Sequence, residues 1–249
     1  MSASTAPNAQ PPLPPLADLQ ARYAGASADA ILRDVVQRFA GEVAAVSSFG
    51  AESVVLLHQL AQLDPGVPVI FLNTGKLFGE TLRYRDRVQT MLGLADVRST
   101  APLARDVQRR DPKGDLWNRA PDQCCHMRKV LPQERALKDF RVILTGRKRF
   151  QTQDRWQMEM IEEERGAEGE QRYRINPLAP WTIKDLGAYI ETHKLPRHPL
   201  TQEGFQSIGC MPCTRRVREG EDYRAGRWAG RDKDECGIHG TEFADGEGI

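Results

Sequence analysis

The chain has 249 residues, of which 40% are hydrophobic and 28% are charged, and its formal net charge is +1. These values are ordinary for one large α/β domain, or one domain with an appendage, that buries a sizeable core. The near-neutral charge disfavours a general nucleic-acid-binding surface, so any anion must be recognised by local clusters. No apolar run approaches the roughly 20 residues that cross a bilayer, and no signal segment opens the chain. We therefore expect a cytoplasmic protein that binds neither nucleic acid nor a membrane.

Composition divides the chain into three regions. Residues 1–16 are rich in proline and small residues, which predicts a disordered N-terminal arm. Residues 17–213 carry the periodic apolar patterns of an α/β domain. In residues 214–249 apolar content falls and glycine, arginine and acidic residues dominate, which predicts a flexible C-terminal tail.

The first half of the domain alternates strand-like and helix-like runs. A short apolar run at 43–46 leads into a small-residue turn at 47–53 and an apolar helix, and 68–72 is a second strand followed by a turn at 73–76 and a helix from about 78 to 92. Val97 marks a third strand. Such alternation predicts a parallel sheet flanked by helices, with ligands at the carboxyl ends of the strands. A small-residue turn that opens a helix directs N–H groups at an anion.

The second half of the domain continues the pattern. Residues 125–140 have helical spacing, with Pro132 as a possible kink, and 141–146 form an interior strand that ends in a basic turn at 147–151. The polar stretch 162–170 is interpreted as a loop, and 173–177 as a late strand. A capping-box variant at 182–185 opens a helix that reaches about His193.

The five cysteines form two pairs and one single residue. Adjacent Cys124 and Cys125 are poor disulfide partners for each other, and paired cysteines in a reducing compartment more often bind metal. The pair Cys210 and Cys213 has the spacing of a zinc site, whereas the upstream pair does not. A [4Fe–4S] cluster fits both pairs better, while zinc and ordinary buried thiols stay open as alternatives. Cys236 remains as a candidate nucleophile, in a polar segment with basic residues that favour the thiolate.

Five motifs in one order resemble a known family. They are SSFGAES at 47–53, NTGKLF at 73–78, CCHMRK at 124–129, CMPC at 210–213 and ECGIH at 235–239. From about residue 30 to 240 the chain resembles the assimilatory adenylyl-sulfate (APS) reductases, the cluster-containing branch of a family that also includes the phosphoadenylyl-sulfate (PAPS) reductases. The resemblance implies the fold of the PP-loop ATP pyrophosphatases. It also implies that the tail cysteine takes the sulfonate from APS, releasing AMP, and that thioredoxin or glutaredoxin then releases sulfite.

The resemblance also implies roles for individual residues. Cys236 is the nucleophile, and the ligands of the [4Fe–4S] cluster are Cys124, Cys125, Cys210 and Cys213. The substrate-binding residues are Ser47, Ser48, Phe49, Gly50, Ser53, Thr74, Gly75, Lys129, Lys148, Arg149, Arg224, Arg227 and His239. Two departures from the family pattern are Asn73, where the family commonly has Asp, and Arg147-Lys148-Arg149, where two adjacent arginines are usual.

Three alternatives accompany this hypothesis. PAPS is the alternative substrate, although the branch that uses PAPS generally lacks the cluster cysteines. A PP-loop tRNA thiolase is a rival enzyme, but Phe49 and Glu52 depart from the loop that binds ATP in that class. A zinc-containing nucleic-acid-binding module is disfavoured by the net charge. The family often forms homo-oligomers, which makes a homo-oligomer possible.

Overall fold

In the computed structural model, which describes residues 11–231, 233 and 235–237, six strands form one mixed sheet. The strands are β1 Val43–Ser47, β2 Val69–Leu72, β3 Val97–Thr100, β4 Val142–Thr145, β5 Ile161–Arg165 and β6 Gln171–Ile175. Their order across the sheet is β3-β2-β1-β4-β6-β5, and every pair is parallel except β5 with β6. The predicted α/β class, with a parallel sheet flanked by helices, is confirmed.

Helices cover both faces of the sheet. They are α1 Leu16–Tyr23, α2 Ala28–Arg38, α3 Ser53–Leu63, α4 Gly79–Leu92, α5 Ala104–Arg110, α6 Leu116–Arg119, α7 Pro121–Cys125, α8 Leu131–Leu137 and α9 Ile183–Thr192. The larger core lies on the face that carries Val69, Phe71 and Leu144 and packs against α1 to α4 and α9. Ala44 and Ile70 point to the other face, where they pack with α8. Burial on both faces explains why the central strands read as continuous apolar runs.

The predicted helix at 125–140 is interrupted before Pro132. A π-helical turn, His126–Val130, separates α7 from α8. Proline has no N–H, and its ring collides with the carbonyl four residues earlier, so the regular ladder cannot continue through this position. The wider π-helical turn accommodates the missing hydrogen bond, so the chain continues directly into α8. This turn follows the adjacent cysteines.

The prediction that 162–170 is a loop is wrong for its first part, because β5 spans Ile161–Arg165. This strand is at the edge of the sheet and alternates between partly buried and exposed positions. Its glutamates face arginines of β6, with Glu162 opposite Arg174 and Glu164 opposite Arg172. Opposite charges on neighbouring strands stabilise such an edge, which lets a highly charged sequence form a strand.

The described end of the predicted N-terminal arm contacts the domain. Residues 11–15 form neither helix nor strand, and the carbonyls of Pro11 and Pro14 accept hydrogen bonds from Arg141 (2.6 Å) and Tyr173 (2.6 Å). Residues 1–10 of the predicted arm lie outside the described residues. The predicted capping box is confirmed, since the Thr182 hydroxyl accepts from the N–H of Asp185 at the start of α9. The domain boundaries and the mobility of the tail stay predictions.

None of the helices in the described part of the chain combines the length and the apolar character needed to cross a membrane.

Candidate active site

A pocket opens where the carboxyl ends of β1, β2 and β4 meet and the described residues of the C-terminal segment, 214–231, 233 and 235–237, return over them. Its empty volume is about 1120 Å³. The structure brings together ten of the predicted site residues in its wall: Ser47, Ser48, Gly50, Ser53, Thr74, Lys129, Lys148, Arg224, Arg227 and Cys236. The predicted position of a ligand at the carboxyl ends of parallel strands therefore coincides with a real cavity.

The turn after β1 exposes backbone and hydroxyl groups to this pocket. Phe49 has φ +48°, and its ring is buried edge-on against Phe71 with 5.4 Å between the centroids. This anchor reverses the chain, and the hydroxyl of Ser47 accepts a hydrogen bond from the N–H of Phe49 at 3.1 Å. Phe49 is therefore a structural residue whose side chain does not line the pocket. Gly50 lies close to the carbonyl of Ile208, which a side chain would meet at 3.3 Å.

The turn after β2 is closed by its own side chains. The amide oxygen of Asn73 accepts the N–H of Gly75 at 3.1 Å, and the hydroxyl of Thr74 accepts the N–H of Lys76 at 3.2 Å. An amide oxygen performs this role as well as a carboxylate does, so Asn73 needs no charge to shape the turn. Gly75 has φ +69° and does not line the pocket, whereas Thr74 does and also contacts the sulfur of Cys210 at 3.2 Å.

The basic turn after β4 carries three cations. Of the two that were predicted to bind substrate, Lys148 lines the pocket and Arg149 does not. Lys148 is buried in the wall, where its ammonium forms an ion pair with Glu52. Burial lowers the pKa of Lys148, and the charge of Glu52 opposes that effect. Arg149 does not line the pocket, because its Nε donates to the carbonyl of Met158 at 2.9 Å. Arg147 lines the pocket, but its guanidinium is paired with Glu162.

Glu52 is the centre of a hydrogen-bond network that joins three parts of the chain. Besides Lys148, its carboxylate accepts from Gln151 at 3.0 Å and from the hydroxyl of Tyr223 at 2.6 Å. Desolvation and the charge of Glu52 raise the pKa of Tyr223 well above its usual value, so the phenol stays a hydrogen-bond donor. The network fixes the basic turn and the C-terminal segment against the turn that opens α3.

The two cysteine pairs meet in a second, smaller cavity. Cys124, Cys125, Cys210 and Cys213 all line it, together with Lys76, Trp117, Arg128, Lys129 and Trp228. The downstream pair reaches the upstream pair because the N–H of Met211 donates to the carbonyl of Lys76 at 2.7 Å. All five cysteines fall among the described residues, and none of them forms a disulfide. Within the described ranges, no three Cys, His, Asp or Glu side chains are arranged to hold a single metal ion.

Two consecutive basic residues of the π-helical turn have different roles. Arg128 is buried and donates to Asp111 at 2.7 Å and to the carbonyl of Thr74 at 2.8 Å, which ties the cysteine segment to the turn after β2. Lys129 lines both cavities. Desolvation lowers its pKa, but the charges of Cys236, Cys210 and Cys125 outweigh burial and raise the pKa overall.

The C-terminal segment is organised around Trp228. The indole is buried and lines both cavities, and the guanidinium of Arg227 lies 4.4 Å from the ring centroid. Gly209 supports this arrangement on the other side, since a side chain at that position would meet the guanidinium of Arg227 at 2.3 Å. Lys129 lies 5.7 Å from the same ring. Stacking of cations on an aromatic face accounts for the order of a segment that forms no helix.

Cys236 lies where the two cavities adjoin. Its side chain is 7% exposed, lines the larger pocket and packs with Cys125, Cys213 and Trp228. Burial raises the pKa of Cys125 to about 11, and the charge of Lys129 opposes this. Predicted site residue His239 lies outside the described residues.

Sequence reasoning missed several residues that the structure places in the pocket. They are Glu52, Arg147, Gln151, Arg155, Tyr223 and Glu235. A signal was available for Glu52, an acid within the anion-binding turn, and for Glu235, an acid adjacent to the candidate nucleophile. Arg155 and Tyr223 carry no local signal, because only the packing of distant segments brings them to the site.

A family model and several named proteins match most of this chain. The model of the phosphoadenosine phosphosulfate reductase domain matches residues 42–216. A protein of Chelativorans sp. named adenosine 5'-phosphosulfate reductase is 48% identical over 89% of this chain and 89% of its own length. A protein of Mesorhizobium japonicum with the same name is 49% identical over 84% of this chain and 80% of its own. A protein of Gloeobacter violaceus named phosphoadenosine 5'-phosphosulfate reductase is 40% identical over 85% of this chain and 88% of its own.

Solved structures support the fold. PAPS reductase from Candida auris, solved as a phosphate complex, has a TM-score of 0.66 and 24% identity, covering 85% of this chain and 98% of the other. Candida glabrata FMN adenylyltransferase has a TM-score of 0.53 at 14% identity, covering 82% of this chain and 70% of the other. These structures share the PP-loop-like architecture predicted from the sequence. By its family model and its relatives, the chain belongs to the phosphoadenosine phosphosulfate reductase domain family.

Proposed function

We propose that this protein reduces APS to sulfite and AMP through an S-sulfocysteine on Cys236, with a thioredoxin-type dithiol as reductant. One observation carries the proposal: Cys236 lies at the junction between the strand-end pocket and the cavity lined by the four other cysteines. Membership in the family and the names of the relatives favour the same reaction.

The pocket offers what a sulfated nucleotide requires. The turn after β1 supplies hydroxyls and N–H groups at the start of α3, a geometry that binds anions. Lys129 lines both cavities and Arg227 lines the larger one, so both cations face the space that an anionic ligand would occupy. The Nε of Arg227 and the indole N–H of Trp228 are also buried without a hydrogen-bond partner among these residues. Buried donors of this kind favour an anion or a cofactor nearby.

In the first stage the thiolate of Cys236 attacks the sulfur of the sulfate group. A sulfur–sulfur bond forms, the bond from sulfur to the bridging oxygen breaks, and AMP leaves with that electron pair on its phosphate. Lys129 and Arg227 offset the charge that develops on the sulfonate and on the departing phosphate. Cys236 is buried and interacts electrostatically with the ammonium of Lys129, which offsets part of the cost of placing a thiolate there.

In the second stage one thiol of the reductant attacks the sulfur of Cys236 and displaces sulfite. The second thiol of the reductant then closes the disulfide and releases Cys236 as a thiol. The dithiol supplies both electrons that the sulfate sulfur gains, so no other electron donor is needed. The identity of the dithiol protein, thioredoxin or glutaredoxin, stays a prediction.

A [4Fe–4S] cluster fits the four cysteines of the smaller cavity. Cys124, Cys125, Cys210 and Cys213 line one cavity as free thiols, and the adjacent upstream pair suits the ligand sites of a multinuclear centre better than those of a single ion. Burial raises the pKa values of Cys124, Cys125 and Cys213, so bound metal would be needed to keep these sulfurs as thiolates. When bound, the cluster would supply a fixed charge distribution beside the pocket. The chain's own residues, above all Lys129, would hold the sulfonate.

The test of the reaction is the intact mass of anaerobic protein mixed with APS, or in parallel with PAPS, without a thiol donor. We expect APS to add one SO3 unit, mapped to the peptide of Cys236, and Cys236→Ser to bind APS without this gain. A gain with both nucleotides would keep the mechanism and withdraw the preference for APS. No gain with either nucleotide, from protein with its cluster intact, would favour the thiolase alternative.

The cofactor is tested separately by iron and acid-labile sulfide in the purified protein. About four of each per chain are expected for the cluster, whereas zinc without sulfide would contradict it. A cytoplasmic location and a homo-oligomeric state remain predictions.

A further inference from the structure

Glu235, the residue before the candidate nucleophile, makes a two-point contact with Arg155. Nε of Arg155 lies 2.7 Å from Oε1 of Glu235, and its terminal nitrogen donates to Oε2 at 2.8 Å. The side chains are only 10% and 24% exposed. Charge-assisted bidentate pairs of this kind fix orientation as well as distance.

Arg155 is itself held in place by the wall of the pocket. Its other terminal nitrogen donates to Gln151 at 2.5 Å, and the amide of Gln151 donates to Glu52 at 3.0 Å. The N–H of Arg155 donates to the hydroxyl of Thr152 at 3.3 Å. All three nitrogens of the guanidinium are engaged by the protein, which distinguishes Arg155 from Lys129 as a cation for the substrate.

The stretch of chain around Cys236 is held by side-chain contacts and not by regular secondary structure in its described residues. Residues 229–231 and the described residues 233 and 235–237 form neither helix nor strand. Lys233 forms an ion pair with Asp122, while Glu235 is the side chain that connects this stretch to the wall after β4. Because Cys236 follows Glu235 directly, the place of the carboxylate sets the place of the sulfur.

We propose that Glu235 is a positioning residue, which acts through Arg155 to hold the sulfur of Cys236 at the junction of the two cavities. The proposal rests on the proposed function for its catalytic consequence. Glu235 also lies 3.7 Å from Arg224, a candidate substrate cation. Loss of the carboxylate therefore misplaces the nucleophile without removing any positive charge from the pocket, so it should slow sulfonate transfer and leave nucleotide affinity unchanged or tighter.

The first arm of the test is single-turnover formation of the S-sulfocysteine at saturating APS, followed by rapid quench and mass measurement. Glu235→Gln should lower the rate by about tenfold to a hundredfold, with a Kd for AMP no weaker than that of the unmodified protein. A variant that is merely misfolded would lower the amplitude of adduct formation and keep the rate of the active fraction. The matched control is Glu42→Gln. This substitution breaks a partly buried ion pair with Arg141 at the amino ends of β1 and β4, away from the pocket.

The second arm needs no substrate. The rate at which iodoacetamide alkylates Cys236, read from its peptide in the cluster-containing protein, should rise by about tenfold in Glu235→Gln and in Arg155→Gln. The rise in the double variant should be smaller than the product of the two single rises, because both substitutions break the contact between Arg155 and Glu235. Arg155→Lys keeps the positive charge but loses the two-point contact with Glu235. Its alkylation rate should lie between the rate of the unmodified protein and that of Arg155→Gln.

The two hypotheses fail in different ways. Alkylation rates and single-turnover rates that match those of Glu42→Gln would overturn the role of Glu235, as would additive effects in the double variant. A protein that forms no adduct with APS, yet shows the expected increase in alkylation, would keep the role of Glu235 in placing the sulfur and reject the proposed reaction.

Discussion

The strand-end wall of the pocket and the C-terminal segment that covers it are built by different forces. The wall follows β1, β2 and β4, whose side chains are buried on both faces of the sheet and whose backbone groups are satisfied by the ladder. The segment from 214 to 237 forms one isolated bridge, between Thr214 and Arg227, and no helix or strand in its described residues. It is held by Trp228 and by charge. The pocket therefore lies between a wall built on the sheet and a covering segment that we expect to have little independent stability.

This difference between the two regions suits the proposed mechanism. In that mechanism the wall presents the same donors to every nucleotide, whereas Cys236 meets first the substrate and then the reductant. Contacts made of ion pairs and cation–π stacking are weaker and more exchangeable than a hydrophobic core. The predictions below test the comparison in order of expected effect.

The largest effect should come from the covering segment at its reactive atom. Cys236→Ser should lower turnover on the order of a thousandfold or more, while the free energy of unfolding changes by less than about 0.5 kcal/mol. Sulfite release with APS and a dithiol donor, and urea unfolding, measure the two quantities. Sulfite release at the normal rate from this variant would show that Cys236 is not the nucleophile.

Loss of one large buried side chain should affect stability in the core and turnover in the C-terminal segment. Leu32→Ala, in the core beneath the sheet, should lower the free energy of unfolding by about 2–5 kcal/mol and keep the rate per folded molecule. Trp228→Ala should do the reverse, with turnover reduced at least about tenfold and global stability changed by less than about 1 kcal/mol. A loss of several kcal/mol in Trp228→Ala would mean that wall and cover unfold as one unit.

Loss of the Lys129 charge, which lies in the π-helical turn and faces both cavities, should lower the rate less than loss of Cys236 and more than loss of a surface cation. Lys129→Met should lower the rate of adduct formation on the order of a hundredfold, because a preorganised cation opposite developing charge is lost. Lys138→Met, at an exposed position after α8, is the matched control and should leave the rate unchanged. The comparison holds only if iron content stays equal in both variants, so iron is assayed alongside the rate.

The smallest effect should be a dependence of folding stability on pH that comes from His198, which lies outside the C-terminal segment. His198 is fully buried, and its Nδ1 accepts from the N–H of Leu200, so Nε2 carries the proton and donates to Thr81. Desolvation lowers the pKa of His198 from 6.5 to about 4. The unfolded chain therefore binds a proton that the folded chain excludes, and stability is lost as the pH falls from 6.5 towards 4.

Between pH 7 and pH 5 this linkage should cost about 2 kcal/mol of unfolding free energy. His198→Asn should flatten that part of the profile, measured by urea titrations at each pH. An equal slope in this variant and in the unmodified protein would assign the acid sensitivity to other groups.

The sequence by itself determined the architecture and the grouping of the cysteines. Apolar runs buried on both faces predicted the strands, small-residue turns predicted where the pocket lies, and the spacing of the five cysteines predicted that four of them share one cavity. These features succeed because they are local, repeated or rare. The charged β5 escaped prediction because its pairing with the arginines of β6 stabilises it from outside its own sequence.

Only the tertiary structure decided which charges are available and which are already paired. Three basic residues of one turn are equivalent on paper, yet Arg147 is paired with Glu162, Lys148 is paired with Glu52, and Arg149 lies outside the pocket. Arg155 gains its role through Glu235, which is 80 residues away in the chain. The energy of a charge depends on burial and on partners a few ångströms away, and the packing of distant segments sets both.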